Sequence, residues 1–289
     1  MSNVRPRRSA LYLPASNAKA LEKARTLDCD VVILDLEDSV APETKESARK
    51  QAVEAVQAGG FGRRELVVRV NGLDTPWGKD DLRALAVVAP DAILVPKVND
   101  DADIHRYNAA LGAMSASVNL WAMIETAKCL FRLDEIAAAS AHSRLSLFVM
   151  GTNDLAKEMG AALTIARAPF LGALALTVAA ARAYGLGILD GVFNGIDDDA
   201  GLLAQLQQGL EFGFDGKTLI HPRQIQSCNE VFTPSADMIS WAKSVIAAFE
   251  LPENADKGAI RVDGKMVERL HLAQAKRVLV ILAAVQGKV

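Results

Sequence analysis

Short apolar segments alternate with longer amphipathic segments along most of this 289-residue chain. The short segments have the length and the β-branched composition of strands, and the longer ones carry apolar residues at helical spacing. The predicted strands are residues 9–14, 31–36, 65–70, 92–98, 118–124, 145–150, 187–193 and 217–220. A helical segment follows each of them. Such alternation is typical of a parallel sheet covered by helices.

Eight consecutive strand–helix units favour a closed barrel over an open sheet. A (β/α)₈ barrel needs about 250 residues. We therefore predict an α/β fold, a (β/α)₈ TIM barrel over residues 1–235, with a C-terminal helical extension over residues 236–289. The extension is predicted to contain helices at 236–249 and 268–284 with a Pro-, Gly- and charge-rich connection between them. Its role would be a lid or a subunit contact.

Composition narrows the functional classes. Hydrophobic residues make up 51% of the chain, and the net charge of −3 does not indicate a nucleic-acid partner. The longest apolar window, residues 162–181, is interrupted by Arg167, which disfavours a membrane span. Cys29, Cys129 and Cys228 are isolated and lack zinc-like spacing, so we expect buried thiols. These features predict a cytoplasmic protein with no nucleic-acid or membrane partner.

Polar residues gather where the predicted strands end. They are Asp35, Glu37, Asp38, Arg69, Asn71, Lys97, Glu125, Asn153, Asp154, Asp190, Asn194 and His221. In an α/β barrel the carboxyl ends of the strands form the active-site mouth. Unpaired charges crowded into that volume would be costly. A metal ion or a charged ligand is therefore expected, and the pattern favours an enzyme over a structural protein.

Two carboxylates stand just past adjacent predicted strands. Glu125 follows strand five, and Asp154 follows strand six. Mg²⁺ favours a few carboxylates together with water and substrate oxygens, so we predict that Glu125 and Asp154 bind one Mg²⁺. Each residue alone could instead stabilise the N-terminus of the next helix. Their matched placement favours the metal site.

The remaining charged residues are assigned to substrate. Arg69 could bind a substrate carboxylate through two hydrogen bonds or stabilise an enolate oxygen. It could instead form an ion pair with Glu37 or Asp38. We place Arg69, Glu37, Asp38 and Lys97 in the substrate-binding site, with Arg69 also catalytic. Lys97 could alternatively form a Schiff base, but nearby acids would keep it protonated. His221 is either an acid/base group or a helix cap.

Several segments in order resemble one enzyme family. They are Arg8-Ser9-Ala10-Leu11-Tyr12-Leu13-Pro14, Ile33-Leu34-Asp35-Leu36-Glu37-Asp38-Ser39-Val40-Ala41-Pro42, Arg69-Val70-Asn71, Pro96-Lys97, Ile124-Glu125-Thr126, Gly151-Thr152-Asn153-Asp154-Leu155 and Gly216-Lys217-Thr218-Leu219-Ile220-His221-Pro222-Arg223-Gln224-Ile225. The chain is similar over nearly its whole length to the citrate lyase β subunit and to malyl-CoA and citramalyl-CoA lyases. These belong to the HpcH/HpaI aldolase/citrate lyase superfamily.

The resemblance implies a Mg²⁺-dependent lyase that assembles as a homotrimer or hexamer. It would split a 3-hydroxyacyl-CoA into an acyl-CoA and a 2-oxo acid, with Mg²⁺ on Glu125 and Asp154 and with Arg69 at the substrate oxygens. Related thioester lyases carry a catalytic Asp near the C-terminus, after a Gly-x-Met-Ile pattern. Here Gly264-Lys265-Met266-Val267 is followed by Glu268, which we predict as the acid/base group, with Asp263 as a substitute. Glu268 could also be only a helix N-terminal acid.

Three other functions remain open from the sequence. The first is an aldolase that cleaves a free 4-hydroxy-2-oxo acid without CoA. The second is a non-catalytic subunit that binds a 2-oxo acid. The third is a citrate lyase subunit that needs an acyl-carrier partner.

Overall fold

The computed structural model describes residues 5–254 and 256–287. Eight parallel strands form a closed barrel, in which neighbours in sequence are neighbours in space and β1 pairs with β8. The strands are β1 Ser9–Pro14, β2 Val31–Asp35, β3 Glu65–Arg69, β4 Ala92–Val95, β5 Asn119–Ile124, β6 Leu145–Met150, β7 Gly187–Asp190 and β8 Gly216–Leu219. The predicted (β/α)₈ fold is confirmed.

Helices connect the strands. They are α1 Ala18–Ala24, α2 Lys45–Ala58, α3 Gly78–Leu85, α4 Asp101–Ala110, α5 Ala127–Leu130, α6 Leu133–Ala138, α7 Thr152–Met159, α8 Leu171–Ala183, α9 Asp199–Phe212 and α10 Gln224–Phe232. The segment after β5 is predicted from the sequence as one helix over residues 126–140, which is wrong, because it forms two helices, α5 and α6. Arg132, between them, leaves helical geometry at φ −133° and ψ 19°. Within the described residues, no helix is both long and apolar enough to cross a bilayer.

The barrel interior changes from apolar to charged toward the carboxyl ends of the strands. A buried apolar cluster fills it, including Ile33, Val67, Trp121 and Met123. Side chains alternate between the two faces of a strand, so residues two apart share a face. Three inward apolar residues are thus each followed two positions later by a charged one: Ile33 by Asp35, Val67 by Arg69 and Met123 by Glu125. The candidate site therefore lies directly on top of the packed core.

The cysteines and the C-terminal region complete the fold. All three cysteines are buried free thiols, as expected.

The chain divides into two compact units, Arg7–Asn229 and Met1–Pro6 with Glu230–Val289. The predicted domain boundary at residues 235 and 236 stays a prediction.

The C-terminal unit contains α11 Ala236–Glu250, β9 Ala259–Val262, β10 Lys265–Glu268 and α12 Arg269–Val285. Helices α11 and α12 pack around an apolar cluster that includes Val245, Ile260 and Val267. The Pro-, Gly- and charge-rich connection between the two helices contains an antiparallel hairpin of β9 and β10. Asp263 and Gly264 both have positive φ, at 47° and 80°. Asp-Gly is favoured in such turns, so this dipeptide was a hairpin signal that the prediction from sequence did not include.

Candidate active site

Glu125 and Asp154 come together at the barrel mouth. Glu125 directly follows β5, and Asp154 lies in the first turn of α7, just after the adjacent strand β6. The Glu125 side chain is fully buried, whereas Asp154 is 27% exposed. Oε1 of Glu125 accepts a hydrogen bond of 2.8 Å from the backbone N–H of Lys97. Oε2 is buried and has no hydrogen-bond partner within residues 5–254 and 256–287.

The protonation of Glu125 reflects this environment. Burial raises the pKa of Glu125 to about 7, although the nearby Lys97 ammonium and backbone N–H oppose that rise. A buried carboxylate is stabilised in its charged form by an opposite charge within a few ångströms. The site of Glu125 therefore favours a cation beside the carboxylate.

Gly151 makes room for Glu125. It stands between β6 and α7, and its N–H donates to the carbonyl oxygen of Ile124 at 3.0 Å. A Cβ atom at this position would lie 2.4 Å from Cβ and 2.5 Å from Oε2 of Glu125. Any larger residue would therefore displace the carboxylate. Sequence reasoning quoted Gly151 only as part of a motif and missed this role.

Lys97 supplies a cation to the carboxylate pair. Its Nζ lies 2.5 Å from Oδ1 of Asp154 and 3.5 Å from Oε1 of Glu125. Burial lowers the pKa of Lys97, but the two carboxylates outweigh burial and leave that pKa above its ordinary value. Lys97 is therefore protonated, which disfavours the Schiff-base alternative. Its predicted contact with substrate stays a prediction.

The donors at this position suit Mg²⁺. Two carboxylates that follow adjacent strands lie within 3.5 Å of one ammonium, and Oε2 of Glu125 has no hydrogen-bond partner among the described residues. Across the part of the chain that the structure describes, no group of three or more His, Cys, Asp or Glu side chains is placed to share an ion. Two carboxylates leave positions for water and ligand oxygens, the arrangement that Mg²⁺ usually keeps. The residues present therefore fit this ion.

Arg69 is held in a fixed position by acids on the neighbouring strand. Its Nε and Nη2 donate to the two carboxylate oxygens of Asp35 at 2.6 and 2.7 Å. Its Nη1 lies 2.8 Å from Oε2 of Glu37 and 3.7 Å from Asp38. The ring of Tyr12 lies 4.9 Å from the guanidinium carbon. The alternative in which Glu37 or Asp38 pairs with Arg69 is thus present, but Asp35 is the main partner.

The pairing with Asp35 decides the charge of both residues. Burial alone would raise the pKa of Asp35, but Arg69 outweighs burial and lowers it. Burial likewise opposes the charge of Arg69, and Asp35 raises the pKa of Arg69 well above its ordinary value. Asp35 stands opposite Arg69 in the β2–β3 register. The sequence showed only that these two residues end consecutive strands, and the register that pairs them comes from the structure.

Glu37 and Asp38 lie in different environments. The Glu37 side chain is mostly buried, and burial raises its pKa to about 8 although Arg69 opposes the rise. Asp38 is 59% exposed. The ammonium of Lys45 donates to the carbonyl oxygens of Leu36 and Glu37 at 2.8 and 2.7 Å, which holds this loop in place. Sequence reasoning did not single out Lys45.

The other candidate acids and bases have structural partners. Glu268 is the N-cap of α12 and forms a capping box, with its N–H donating to Nδ1 of His271 at 2.9 Å. The helix-capping alternative is therefore present, and its catalytic role stays a prediction. Asp263 lies in the β9–β10 turn. Nδ1 of His221 accepts from the N–H of Arg223 at 3.2 Å, just before α10, as expected for a helix-capping residue.

Comparison with known proteins identifies the family of this chain. A family model described as HpcH/HpaI aldolase/citrate lyase matches residues 8–222. A (3S)-malyl-CoA thioesterase of Cereibacter sphaeroides is 48% identical over 274 residues, covering 95% of this chain and 94% of the relative. An L-malyl-CoA/beta-methylmalyl-CoA lyase of the same species is 36% identical over 298 residues, covering 94% and 93%.

A solved structure covers the whole fold. CitE from Mycobacterium tuberculosis, in complex with magnesium, acetoacetate and coenzyme A, superposes with a TM-score of 0.77 at 28% identity. The match covers 98% of this chain and 100% of that one. The resemblance seen in the sequence is confirmed, and this chain belongs to the HpcH/HpaI aldolase/citrate lyase family.

Proposed function

We propose that this protein is a Mg²⁺-dependent enzyme that hydrolyses a malyl-CoA-like thioester to a hydroxydicarboxylic acid and free CoA. The observation that carries the proposal is the pair of Glu125 and Asp154 around one positive charge, at the barrel mouth beside Arg69. Such a substrate carries a carboxylate and a hydroxyl on neighbouring carbons. Those two oxygens suit a hard cation.

Glu125 and Asp154 would hold the Mg²⁺. When bound, the ion supplies Lewis acidity and orients substrate oxygens. Gly151 keeps the space that Glu125 needs, and the backbone N–H of Lys97 keeps one of its oxygens in place.

Arg69 would stabilise negative charge that develops on a substrate oxygen. Its guanidinium is held by Asp35 and Glu37, so it presents a positive charge in a fixed position. Fixed charges lower a barrier more than mobile ones, because no reorganisation is needed when the reaction occurs. Arg69 is thus the proposed catalytic residue of the barrel unit.

Hydrolysis is preferred over carbon–carbon cleavage on the basis of the relatives. Identity to a malyl-CoA thioesterase is 48%, against 36% for a malyl-CoA lyase, over almost the same share of the chain. The second candidate function is the lyase reaction predicted from the sequence. It is supported by that lyase relative and by the CitE complex with acetoacetate and coenzyme A.

Product analysis with (3S)-malyl-CoA tests both candidates. Hydrolysis consumes one water and releases malate and one free thiol of CoA per substrate. The lyase reaction instead releases acetyl-CoA and glyoxylate and no free thiol. We expect thiol release to match malate formation, to stop with EDTA and to return with Mg²⁺. Acetyl-CoA with glyoxylate would establish the second candidate, and binding without turnover would contradict both.

A further inference from the structure

Lys97 contacts one oxygen of each carboxylate that would hold the proposed metal ion. Its Nζ lies 2.5 Å from Oδ1 of Asp154 and 3.5 Å from Oε1 of Glu125. Mg²⁺ binds carboxylate oxygens at about 2.0–2.1 Å. An ammonium and a divalent ion held by the same two carboxylates would repel each other at short range. The two cations therefore exclude each other.

We propose that Lys97 competes with Mg²⁺ for Glu125 and Asp154, so that the ion binds only when the Lys97 side chain moves away. The inference rests on the metal site of the proposed function. It assigns Lys97 the role of setting metal affinity, in addition to any contact with substrate.

The direction of the Lys97 side chain supports this competition. The side chain as a whole is 36% exposed, but its Nζ atom is buried. Lysine side chains ordinarily bury the aliphatic stem and place the ammonium in water. Lys97 does the reverse, which indicates that the two carboxylates draw the charge inward. Its exposed stem leaves a path for the ammonium to swing outward.

The backbone conformation of Lys97 directs its N–H toward Glu125 and its side chain toward Asp154. Its φ is 53°, in the left-handed region that non-glycine residues rarely adopt. In this conformation its N–H donates to Oε1 of Glu125 at 2.8 Å, while its side chain reaches Asp154. The main-chain hydrogen bond does not depend on the ammonium. The side chain can therefore leave while the backbone continues to position Glu125.

The competition has a consequence for ligand binding. A displaced ammonium needs another anion, and the carboxylate of a bound 2-oxo or 2-hydroxy acid would be such a partner at the barrel mouth. An acid whose carboxylate pairs with the displaced ammonium would raise the affinity of the site for Mg²⁺. By thermodynamic linkage, Mg²⁺ would raise the affinity for the acid by the same factor. Lys97 would thereby couple the two ligands.

Direct metal titration of variants tests the inference. Lys97→Met removes the charge but keeps the length, and Lys97→Gly also relieves the left-handed backbone while keeping the N–H donor. Titration calorimetry with Mg²⁺ and electron paramagnetic resonance with Mn²⁺ measure the affinity without turnover. We expect both variants to bind the ion about tenfold more tightly than the wild type, within the usual range of coupling between sites.

Two controls separate this inference from the proposed function. Lys128→Met removes a nearby lysine that pairs with Asp100 at 3.0 Å, and its affinity should match the wild type. Asp154→Asn should lose the ion. Unchanged or weaker binding in both Lys97 variants, with loss in Asp154→Asn, would overturn the competition and leave the metal site intact. Full metal binding in Asp154→Asn, or none in the wild type, would overturn both.

A second measurement follows Lys97 itself. Reductive methylation and peptide mass spectrometry report how readily each lysine reacts. If Mg²⁺ displaces the ammonium, Lys97 loses its two carboxylate partners and should react several-fold faster when the ion is added. Lys128 should react at the same rate with and without Mg²⁺. No change at Lys97 with saturating Mg²⁺ would contradict the displacement.

Discussion

The space beside Glu125 exists because residue 151 has no side chain. We predict that Gly151→Ala displaces the carboxylate, since the added Cβ would lie 2.4 Å from Cβ of Glu125. Overpacking of this kind costs about 1–3 kcal/mol of unfolding free energy. Metal affinity should fall together with stability. Urea denaturation and Mg²⁺ titration measure the two effects.

Gly172→Ala is the matched control. Gly172 lies in α8, and a Cβ there would meet no heavy atom within 4 Å. Alanine is also the better helix former, so stability should stay the same or rise slightly. Full Mg²⁺ binding in Gly151→Ala would show that the added Cβ does not displace the Glu125 carboxylate.

Of the two carboxylates, Asp154 can be substituted with the smaller effect on folding stability. It is partly exposed, whereas Glu125 is buried in the site. We predict that Asp154→Ala abolishes Mg²⁺-dependent turnover and leaves the thermal midpoint nearly unchanged. Asp197→Ala, at an exposed carboxylate, should keep wild-type activity. Retained metal-dependent turnover in Asp154→Ala would refute the proposed site.

At the scale of elements, a buried ionic cluster connects the end of β7 to β8 and to the segment before α8. Asp190 is fully buried and accepts from Nη1 of Arg167 at 2.6 and 2.8 Å and from Nζ of Lys217 at 2.8 Å. Gln205 of α9 also lies 3.4 Å from Nζ of Lys217. Removing the carboxylate would leave two buried cations without their counter-charge. Such losses are costly.

We therefore predict that Asp190→Asn lowers the free energy of unfolding by about 3–5 kcal/mol at neutral pH. Burial alone would raise the pKa of Asp190, but Lys217 and Arg167 outweigh it and lower that pKa. A lowered carboxyl pKa gives stability that is present above the ordinary value of about 4 and is lost as pH falls through the folded value. Denaturant titrations should show the difference between wild type and variant shrinking in that acidic range.

Asp197→Asn is the control for this pH dependence. Asp197 pairs with Arg223 on the surface, where such pairs contribute little. Its unfolding free energy should follow that of the wild type at every pH. An Asp190→Asn variant as stable as the wild type would mean that the cluster contributes nothing net.

Strand periodicity explains why the charged residues meet at one end of the barrel. Alternation places Asp35, Arg69 and Glu125 above inward apolar residues, and this was predictable from each strand by itself. The helix boundaries were less predictable. The break between α5 and α6 at Arg132 separates the buried residues Cys129 and Leu133, and no proline or glycine in the local sequence marks it. Strand β4 likewise ends at Val95, two residues before the left-handed Lys97.

At the scale of the whole molecule, we predict that the chain assembles into an oligomer. The resemblance implies a homotrimer or hexamer, and this stays a prediction. Neighbouring helices α8 and α9 expose Leu176 and Leu203, each more than half accessible. Clustered exposed apolar side chains often mark protein contacts. We expect light scattering after gel filtration to give about three or six times the 30.9 kDa chain mass. A monomeric mass at micromolar concentration would contradict this.

The sequence by itself determined the barrel, the end of the barrel where the charged residues gather, and the two acidic residues of the metal hypothesis. Hydrophobic periodicity is local information, and each strand carries its own. Only the tertiary structure decided which charges pair. The Lys97 ammonium pairs with Asp154. The Arg69 guanidinium pairs through two nitrogens with Asp35 and through one with Glu37. These partnerships depend on strand register and on ångström distances between segments far apart in the chain, and no single segment contains that information.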